Sequence, residues 1–277
     1  MTILSGKAWL AGITGWPVSH SRSPRLHGFW LQRHGIDGAY VPLPIRPEDW
    51  AIAIKGLAAA GFAGANVTIP HKVAAFEICD AVDDSARRAG AVNTLVFQEG
   101  RITGSNTDGI GFLNNLRQHG VDPAAGPALL LGAGGSARAI ASVLLELGVQ
   151  VTVANRTRSK ADALAADLPG LVVIGWDQRH VAVADQALVV NTTPLGMNGQ
   201  GPLPVDLGHG RPAVADIVYV PLQTPLLADA KARGLVTVGG LGMLLHQAVP
   251  GFAAWFGVEP VVDEELFRFV AADLLAG

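Results

Sequence analysis

Cysteine is nearly absent from the chain, since Cys79 stands alone among 277 residues. A single cysteine excludes an intrachain disulfide and favours a protein of the reducing cytoplasm. No apolar run reaches the roughly 18 residues that a membrane-spanning helix needs. The first residues also lack the basic segment and long apolar stretch that mark a signal peptide. We therefore expect neither a membrane span nor secretion, and predict a cytoplasmic location.

Runs of like charge are also missing. The formal net charge is only −3, and lysine and arginine form no cluster along the sequence. This pattern argues against nucleic acid or a membrane surface as a partner. The eight histidines are scattered, without an HExxH motif or paired Cys/His spacing, so we expect no metal site. No G-x-S-x-G elbow surrounds a usable serine, so a serine hydrolase is not indicated either.

Apolar side chains, in contrast, make up 49% of the chain, which is enough for a large core. Strand-like and helix-like segments alternate throughout, and this pattern predicts an α/β fold with mainly parallel sheets. The length suggests two domains. We predict a first domain at 1–110, a second at 111–245, and C-terminal helices at 246–277 that return to pack on the first.

The first domain is expected to begin with a strand at 8–14. A helix should follow, with Ser23 as its N-cap and Pro24 at its first helical position. Glu99 and Gly100 form a plausible turn between two short strands, which predicts a β-hairpin. Further strands are predicted at 39–45 and 65–69, with a helix at 47–60.

A regular strand–helix–strand pattern begins near Pro127. An apolar strand at 128–131 leads into Gly132, Gly134 and Ala137, which have the spacing G-x-G-x-x-A and open a helix at 136–147. This order is the fingerprint of a Rossmann-type dinucleotide-binding domain, in which the helix N-terminus faces the pyrophosphate. The candidate cofactor-binding residues in this loop are Gly132, Ala133, Gly134, Gly135, Ser136 and Ala137. Later strands are predicted at 149–154, 171–174, 188–190, 213–218 and 235–238, and the last helices at 243–256 and 263–275.

The turn after the second strand of this domain bears on which dinucleotide binds. NAD-binding domains usually place Asp or Glu there, to bond the ribose 2′-hydroxyl. This chain has Asn155, Arg156, Thr157 and Arg158 instead, and two guanidiniums with a hydroxyl suit a 2′-phosphate. The sequence therefore predicts NADP. The alternative is a solvated basic turn in which Thr157 or Ser159 only caps a helix.

Polar side chains collect at strand ends and helix starts of the first domain. In the stretch GANVTIPHK, Asn66 and Thr68 occupy alternate positions of a strand, so both face the same way. Each of the polar residues has a structural explanation when taken singly, such as helix capping or the helix dipole. Their number predicts a binding pocket. The residues concerned are Ser21, Ser23, Asn66, Thr68, Lys72, Asn93, Asn106 and Asp108.

Several motifs, in this order along the chain, resemble those of the shikimate dehydrogenase family. They are HSRSP, NVTIPHK, AGAVNT, NTDGIGF, GAGGSARA, NRT, VNTTPLGM and HQA, and they span residues 15 to about 257. NVTxPxK followed by NTDG is the most specific part. Two positions depart from the family's usual pattern: Trp16 and Gly28 both replace a common Asn. We expect these changes to alter loop packing rather than activity.

The resemblance implies NADP-dependent interconversion of 3-dehydroshikimate and shikimate, with 1–110 as the substrate-binding and catalytic domain and 111–245 as the NADP-binding domain. It implies Lys72 and Asp108 as the catalytic pair. The implied substrate contacts are Ser21, Ser23, Asn66, Thr68, Asn93, Tyr219 and Gln247. Further implied cofactor contacts are Thr192, Gly240 and Met243. The partner is then a small molecule, and the protein is expected to be a monomer or a homodimer.

Three other functions are considered. One is a relative that also accepts quinate, for which the serine loop and Thr68 would decide, or that uses NAD. The two serines favour shikimate, and the turn at 155–158 favours NADP. A sensor that binds NADPH without turnover would be expected to lose Lys72 or Asp108, and this chain has both. A folate-linked dehydrogenase has a similar architecture, but the serine loop would have no purpose in it.

Overall fold

A computed structural model describes residues 3–275 of the chain. Its backbone contacts divide the chain into two compact units. Of the described residues, unit 1 comprises 3–107 and 247–275, and unit 2 comprises Asp108–His246. The division lies close to the predicted boundaries at 110/111 and 245/246. No helix within residues 3–275 is long and apolar enough to cross a membrane.

The strands alternate with helices, which confirms the predicted α/β class. The strands are β1 Trp9–Gly15, β2 Gly38–Pro44, β3 Gly64–Val67, β4 Ala81–Val82, β5 Thr94–Gln98, β6 Arg101–Ser105, β7 Ala128–Leu131, β8 Val151–Ala154, β9 Val172–Ile174, β10 Leu188–Asn191, β11 Ala213–Asp216 and β12 Thr237–Gly239. The helices are α1 Ser23–Arg33, α2 Trp50–Ala59, α3 Lys72–Ile78, α4 Asp84–Ala89, α5 Asp108–Gln118, α6 Gly135–Glu146, α7 Arg158–Asp167, α8 Arg179–Ala182, α9 Pro225–Ala232, α10 Gly240–Phe256 and α11 Glu264–Leu275.

Unit 1 is built on a mixed sheet with the strand order β2-β1-β3-β5-β6-β4. Strand β1 runs parallel to β2 and β3, and β4 runs parallel to β6. Strand β5 is antiparallel to both β3 and β6. The β5–β6 hairpin turns at Glu99 and Gly100, whose φ angles of 51° and 75° are those that a tight two-residue hairpin turn requires.

The start of α1 differs from the prediction. The helix begins at Ser23, its N-cap is Arg22, and no side chain caps it. The predicted N-cap role of Ser23 is therefore wrong by one residue, because Pro24 tolerates any position in the first turn, where N–H groups lack helical partners. Ser21 Oγ instead accepts a hydrogen bond from Ser23 N at 3.3 Å.

The last two helices pack on unit 1. Trp255 of α10 is fully buried, and its Nε1 donates to the backbone oxygen of Leu95 in β5 at 2.9 Å. Helix α11 lies against α1, where Arg22 pairs with Asp273 at 2.7 Å. The C-terminal segment is thus part of the core that surrounds β3 and β5, the strands that carry Asn66 and Thr94.

Unit 2 contains a fully parallel sheet with the order β12-β11-β10-β7-β8-β9. This is the order of a doubly wound dinucleotide-binding fold, in which the strand sequence reverses direction between β7 and β10. Alternate residues of β7 supply two different hydrophobic clusters: Ala128 and Leu130 enter one, and Leu129 and Leu131 enter the other. Helices therefore cover both faces of the sheet, and the predicted Rossmann-type fold is confirmed.

Candidate active site

The glycine-rich loop of unit 2 connects β7 to α6. Gly134 is the N-cap of α6, with φ −96° and ψ −171°, and no side chain caps the helix. The first-turn N–H groups therefore have no side-chain acceptor, and the positive end of the helix dipole lies at the loop. Such a helix start suits a phosphate group.

The glycines of this loop serve different purposes. Gly132 has a φ of +119°, and a Cβ there would lie 2.5 Å from Thr192 Oγ1, so the fold itself requires glycine. At Gly134 and Gly135 an added Cβ would have no atom within 4 Å, and neither residue has a positive φ. The fold does not demand glycine at these two positions, but a side chain there would fill the space above the helix start. The loop therefore fits a pyrophosphate.

Thr192 joins the loop from the adjacent strand. It follows β10, and both its backbone N and its Oγ1 donate to the oxygen of Leu131 at 2.9 Å. Thr192 thus lies beside Gly132 at the point where the strand order reverses. In open α/β sheets, ligands bind at this switch point, outside the carboxyl ends of the strands.

The turn after β8 is exposed and basic. Arg158 pairs with Asp162 at 2.8 Å, one turn further along α7, whereas Arg156 makes no ion pair within residues 3–275. Asn155 Nδ2 donates to the oxygen of Thr157 at 2.8 Å, which closes the turn. Thr157 is the N-cap of α7 but makes no side-chain cap. Capping therefore does not explain the threonine, and the turn offers one unpaired guanidinium to a phosphate.

A buried carboxylate that the sequence did not single out holds the ends of β10 and β11 together. Asp216 is 2% exposed and accepts hydrogen bonds from Asn191 Nδ2 at 3.0 Å, Val218 N at 3.0 Å and Thr224 Oγ1 at 2.7 Å. Burial raises the pKa of Asp216, against the effect of these donors. Half-buried Tyr219 is the next residue after Val218, so the hydrogen bond from Val218 to Asp216 helps to position the segment that carries Tyr219.

The remaining candidates of unit 2 lie in or near its core. A Cβ on Gly240 would lie 2.2 Å from the oxygen of Ile217, so close packing by itself accounts for this glycine. Met243 is 8% exposed and belongs to the main core cluster of the unit. Asp108 is also 8% exposed and is the first residue of α5, where a negative charge is favourable.

Unit 1 contains a buried cluster of amides and hydroxyls centred on Asn66. This residue of β3 is 3% exposed. Its Oδ1 accepts a hydrogen bond from Tyr40 Oη at 2.6 Å. Its Nδ2 donates to the backbone oxygen of Asn93 and to Thr94 Oγ1, both at 3.2 Å. The amide therefore connects β2 to β5 across β3.

Asn93 extends the cluster towards the C-terminal segment. Its Oδ1 accepts from Thr94 Oγ1 and from Thr107 N, both at 2.9 Å, and from Thr107 Oγ1 at 3.2 Å. Thr107 Oγ1 also lies 3.3 Å from Gln247 Oε1. The structure thus brings Asn66, Asn93 and Gln247 into one network. Tyr40, Thr94 and Thr107 were not predicted, although each threonine directly follows an asparagine of the motifs given above.

The cluster is electrically neutral. Burial raises the pKa of Tyr40 well above 10, more than its hydrogen bond with Ser23 lowers it. The ring of His27 stacks on that of Tyr40 at 3.9 Å, and burial lowers the pKa of His27 to about 3. Both rings are therefore uncharged near pH 7. A neutral set of donors and acceptors suits the hydroxyl groups of a small polar ligand.

The other candidates of unit 1 lie at the start of α1 and in the segment that follows β3. Ser23 is 3% exposed, and Ser21 is half-buried. Thr68 follows the end of β3, its N–H donates to the oxygen of Thr14 at 2.9 Å, and its methyl group packs on Gly15. Lys72 is half-buried and is the first residue of α3.

Comparison with known proteins identifies the family. Residues 13–95 match the shikimate dehydrogenase substrate binding domain, and residues 117–193 match the shikimate / quinate 5-dehydrogenase family. Shikimate dehydrogenase (NADP(+)) of Acidiphilium cryptum (strain JF-5) is 69% identical over 275 residues, which cover 99% of each chain. The chain belongs to the shikimate dehydrogenase family.

Solved structures of the shikimate dehydrogenase family have the same fold. Shikimate 5-dehydrogenase from Thermus thermophilus, in complex with NADP(H) and shikimate, is 38% identical, with a TM-score of 0.86 over 96% of this chain and 99% of the other. Quinate dehydrogenase from Corynebacterium glutamicum, in complex with NAD, is 30% identical, with a TM-score of 0.88 over 97% of this chain and 99% of the other.

The two departures from the family pattern both lie on the surface. Trp16 is 45% exposed, and the guanidinium of Arg46 lies 5.8 Å from the centre of its ring. Gly28 is exposed on α1, with no atom within 4 Å of a Cβ position. That the two changes alter loop packing rather than activity stays a prediction.

Proposed function

We propose that this protein is an NADP-dependent shikimate dehydrogenase that interconverts 3-dehydroshikimate and shikimate. The observation that carries the proposal is the buried, neutral network of Asn66, Thr94, Asn93 and Thr107 in a chain of this family. Fixed amides and hydroxyls match a ring that carries several hydroxyls. They also reject analogues without those hydroxyls, because buried polar groups would be left unpaired.

We assign substrate binding to unit 1 and cofactor binding to unit 2. The match of residues 13–95 to a substrate binding domain supports the first assignment. In unit 1, Ser21 and Ser23 bind the substrate carboxylate through neutral hydroxyls. Thr68, Asn66, Asn93 and Gln247 bind the ring hydroxyls, and Tyr219 is a further proposed substrate contact.

The residues of unit 2 fit NADP rather than NAD. The first-turn N–H groups of α6 bind the pyrophosphate in the space that Gly134 and Gly135 leave open. The turn after β8 has no carboxylate to repel a 2′-phosphate, and Arg156 is available to pair with it. When bound there, the nicotinamide cofactor would supply the hydride acceptor for shikimate and the hydride donor for the ketone. Thr192, Gly240 and Met243 are further proposed contacts.

We propose Lys72 and Asp108 as the catalytic pair. Reduction of a ketone leaves negative charge on the oxygen, which needs a proton or a nearby positive charge. The ammonium of Lys72 supplies either one. Asp108 is the second member of the pair and shares the handling of the proton.

The decisive experiment measures absorbance at the nicotinamide band with shikimate or quinate, each combined with NADP or NAD. We expect turnover to be fastest with shikimate and NADP. Faster turnover with quinate, or with NAD, would support the relaxed-specificity alternative. Tight NADPH binding without turnover of shikimate would support a sensor. Location in the cytoplasm and a monomeric or homodimeric state stay predictions from the sequence.

A further inference from the structure

We infer that Thr94 is a positioning residue that holds Asn66 and Asn93 in opposite hydrogen-bonding polarity, so that Asn66 can only accept from a substrate hydroxyl and Asn93 can only donate to a substrate oxygen. The inference rests on the proposed function, because it concerns the same substrate. It assigns a role to Thr94, whose side chain is 2% exposed and lies between the two asparagines.

The orientation of the Asn66 amide follows from its neighbours. The backbone oxygen of Asn93 only accepts, so the amide atom 3.2 Å from it must be Nδ2. Oδ1 then faces Tyr40 at 2.6 Å, and the phenol is the donor. The second hydrogen of Nδ2 points to Thr94 Oγ1 at 3.2 Å. Both donors of the amide are used, and Oδ1 retains one lone pair.

The hydroxyl of Thr94 links the Asn66 amide to the Asn93 amide. It accepts from Asn66, so its single hydrogen is directed to Asn93 Oδ1 at 2.9 Å. That atom of Asn93 is an oxygen, because the backbone N–H of Thr107 also donates to it at 2.9 Å. With these donors on Oδ1, any hydrogen bond from the Asn93 side chain to a ligand comes from Nδ2.

The position of Thr94 in the sheet explains how one hydroxyl bridges the two amides. Asn66 and Thr94 are direct partners across the antiparallel pair β3–β5, and Asn93 precedes Thr94 in the chain. All three residues are at most 3% exposed, so a hydrogen bond left unmade there costs more than one at the surface. Removal of the hydroxyl leaves a donor of Asn66 and a bond to Asn93 Oδ1 unmade, so each amide loses one of the bonds that hold its orientation.

The test compares Thr94→Val, which keeps the β-branched shape, with Thr94→Ser, which keeps the hydroxyl. We expect Thr94→Val to raise KM for shikimate about ten- to hundredfold, with a smaller change in kcat and an unchanged Kd for NADPH. Its preference for shikimate over monodeoxy shikimates should fall by a similar factor. Thr94→Ser should recover most of both properties. Thr103→Val, at an exposed position of neighbouring β6, is the matched control.

A second measurement does not depend on turnover. The side-chain NH2 resonances of Asn66 should exchange slowly with solvent in the wild type and in Thr94→Ser, and faster in Thr94→Val. The positioning role is refuted if Thr94→Val has the wild-type KM, the wild-type substrate preference and the wild-type exchange rate of the Asn66 NH2 group. It is also refuted if Thr94→Ser raises KM as much as Thr94→Val does. A wild type that does not oxidise shikimate refutes the proposed function instead, and the exchange rates still decide the orientation of the amides.

Discussion

Substitution of two glycines of the same loop by alanine is predicted to change different properties: stability at Gly132 and NADPH affinity at Gly134. Gly132 has a φ of +119°, and a Cβ there would lie 2.5 Å from Thr192 Oγ1 and 3.0 Å from Thr193 Cγ2. The backbone strain costs about 1–3 kcal/mol, and the overlap adds about 1–3 kcal/mol. Any shift of Thr192 also disturbs its hydrogen bond to Leu131. Gly132→Ala should therefore destabilise unit 2 by about 2–6 kcal/mol.

Gly134→Ala should leave the fold unaffected. Its φ of −96° and ψ of −171° are ordinary for any residue, and no atom lies within 4 Å of the new Cβ. The change in stability should be within about 0.5 kcal/mol. If the pyrophosphate lies above this residue, the methyl group displaces it from the N–H groups of α6. We then expect NADPH affinity to fall about ten- to hundredfold.

The assay is thermal unfolding without cofactor, combined with a fluorescence titration with NADPH. We expect Tm to fall by about 5–15 °C for Gly132→Ala and to stay unchanged for Gly134→Ala. Gly56→Ala, at an exposed position of α2, is the control: it should be slightly stabilising and bind NADPH normally. Wild-type NADPH affinity in Gly134→Ala would refute the assignment of the pyrophosphate to this loop, and wild-type stability in Gly132→Ala would refute the loop geometry.

Three further changes test other parts of the molecule. Gly64→Ala would place a Cβ 2.1 Å from both Leu95 O and Trp255 Nε1. We expect this overlap to destabilise the protein by about 2–4 kcal/mol, measured as a lower midpoint of urea unfolding followed by tryptophan fluorescence. An unchanged midpoint would contradict the close packing at Gly64. Burial lowers the pKa of His27 from 6.5 to about 3. Between these two values the unfolded chain binds a proton that the folded chain does not. The free energy of unfolding therefore falls by about 1.4 kcal/mol for each pH unit below 6.5. His27→Phe should remove this part of the slope of stability against pH between about pH 6.5 and 4.5, and an identical slope in both proteins would argue against a buried neutral ring. Lys72→Ala should lower kcat at least about a hundredfold with a much smaller rise in KM, since the bond to the reacting oxygen strengthens in the transition state. A wild-type kcat in steady-state kinetics would show that Lys72 has no catalytic role.

Local signals explain which parts of the fold were predictable. The apolar strand β7, the glycines after it and the amphipathic helix α6 are consecutive in the chain, so their pattern predicts the loop that the structure contains. The β5–β6 turn is equally local. The N-cap of α1 was misplaced by one residue, because a serine followed by proline is typical of a helix start, whereas the backbone geometry makes Arg22 the N-cap.

The candidate site was predicted in part for a similar reason. Asn66, Asn93 and Gln247 were identified through motifs, and the structure places them in one network. Tyr40 was missed because it lies in a different strand, 26 residues before its partner Asn66. Asp216 was missed because an aspartate at a strand end is usually exposed, and the sequence alone does not show that this one is buried.

The sequence by itself determined the family, the order of strands and helices, and a cofactor turn that lacks the carboxylate expected of an NAD site. These properties are encoded in residues that are neighbours along the chain. Only the tertiary structure decided which amide oxygen faces which donor, why Gly132 and Gly134 differ, and that His27 and Tyr40 are neutral. Hydrogen-bond direction and desolvation depend on which strands and helices surround a side chain, and β3 acquires its partners from β2 and β5 only when the sheet forms.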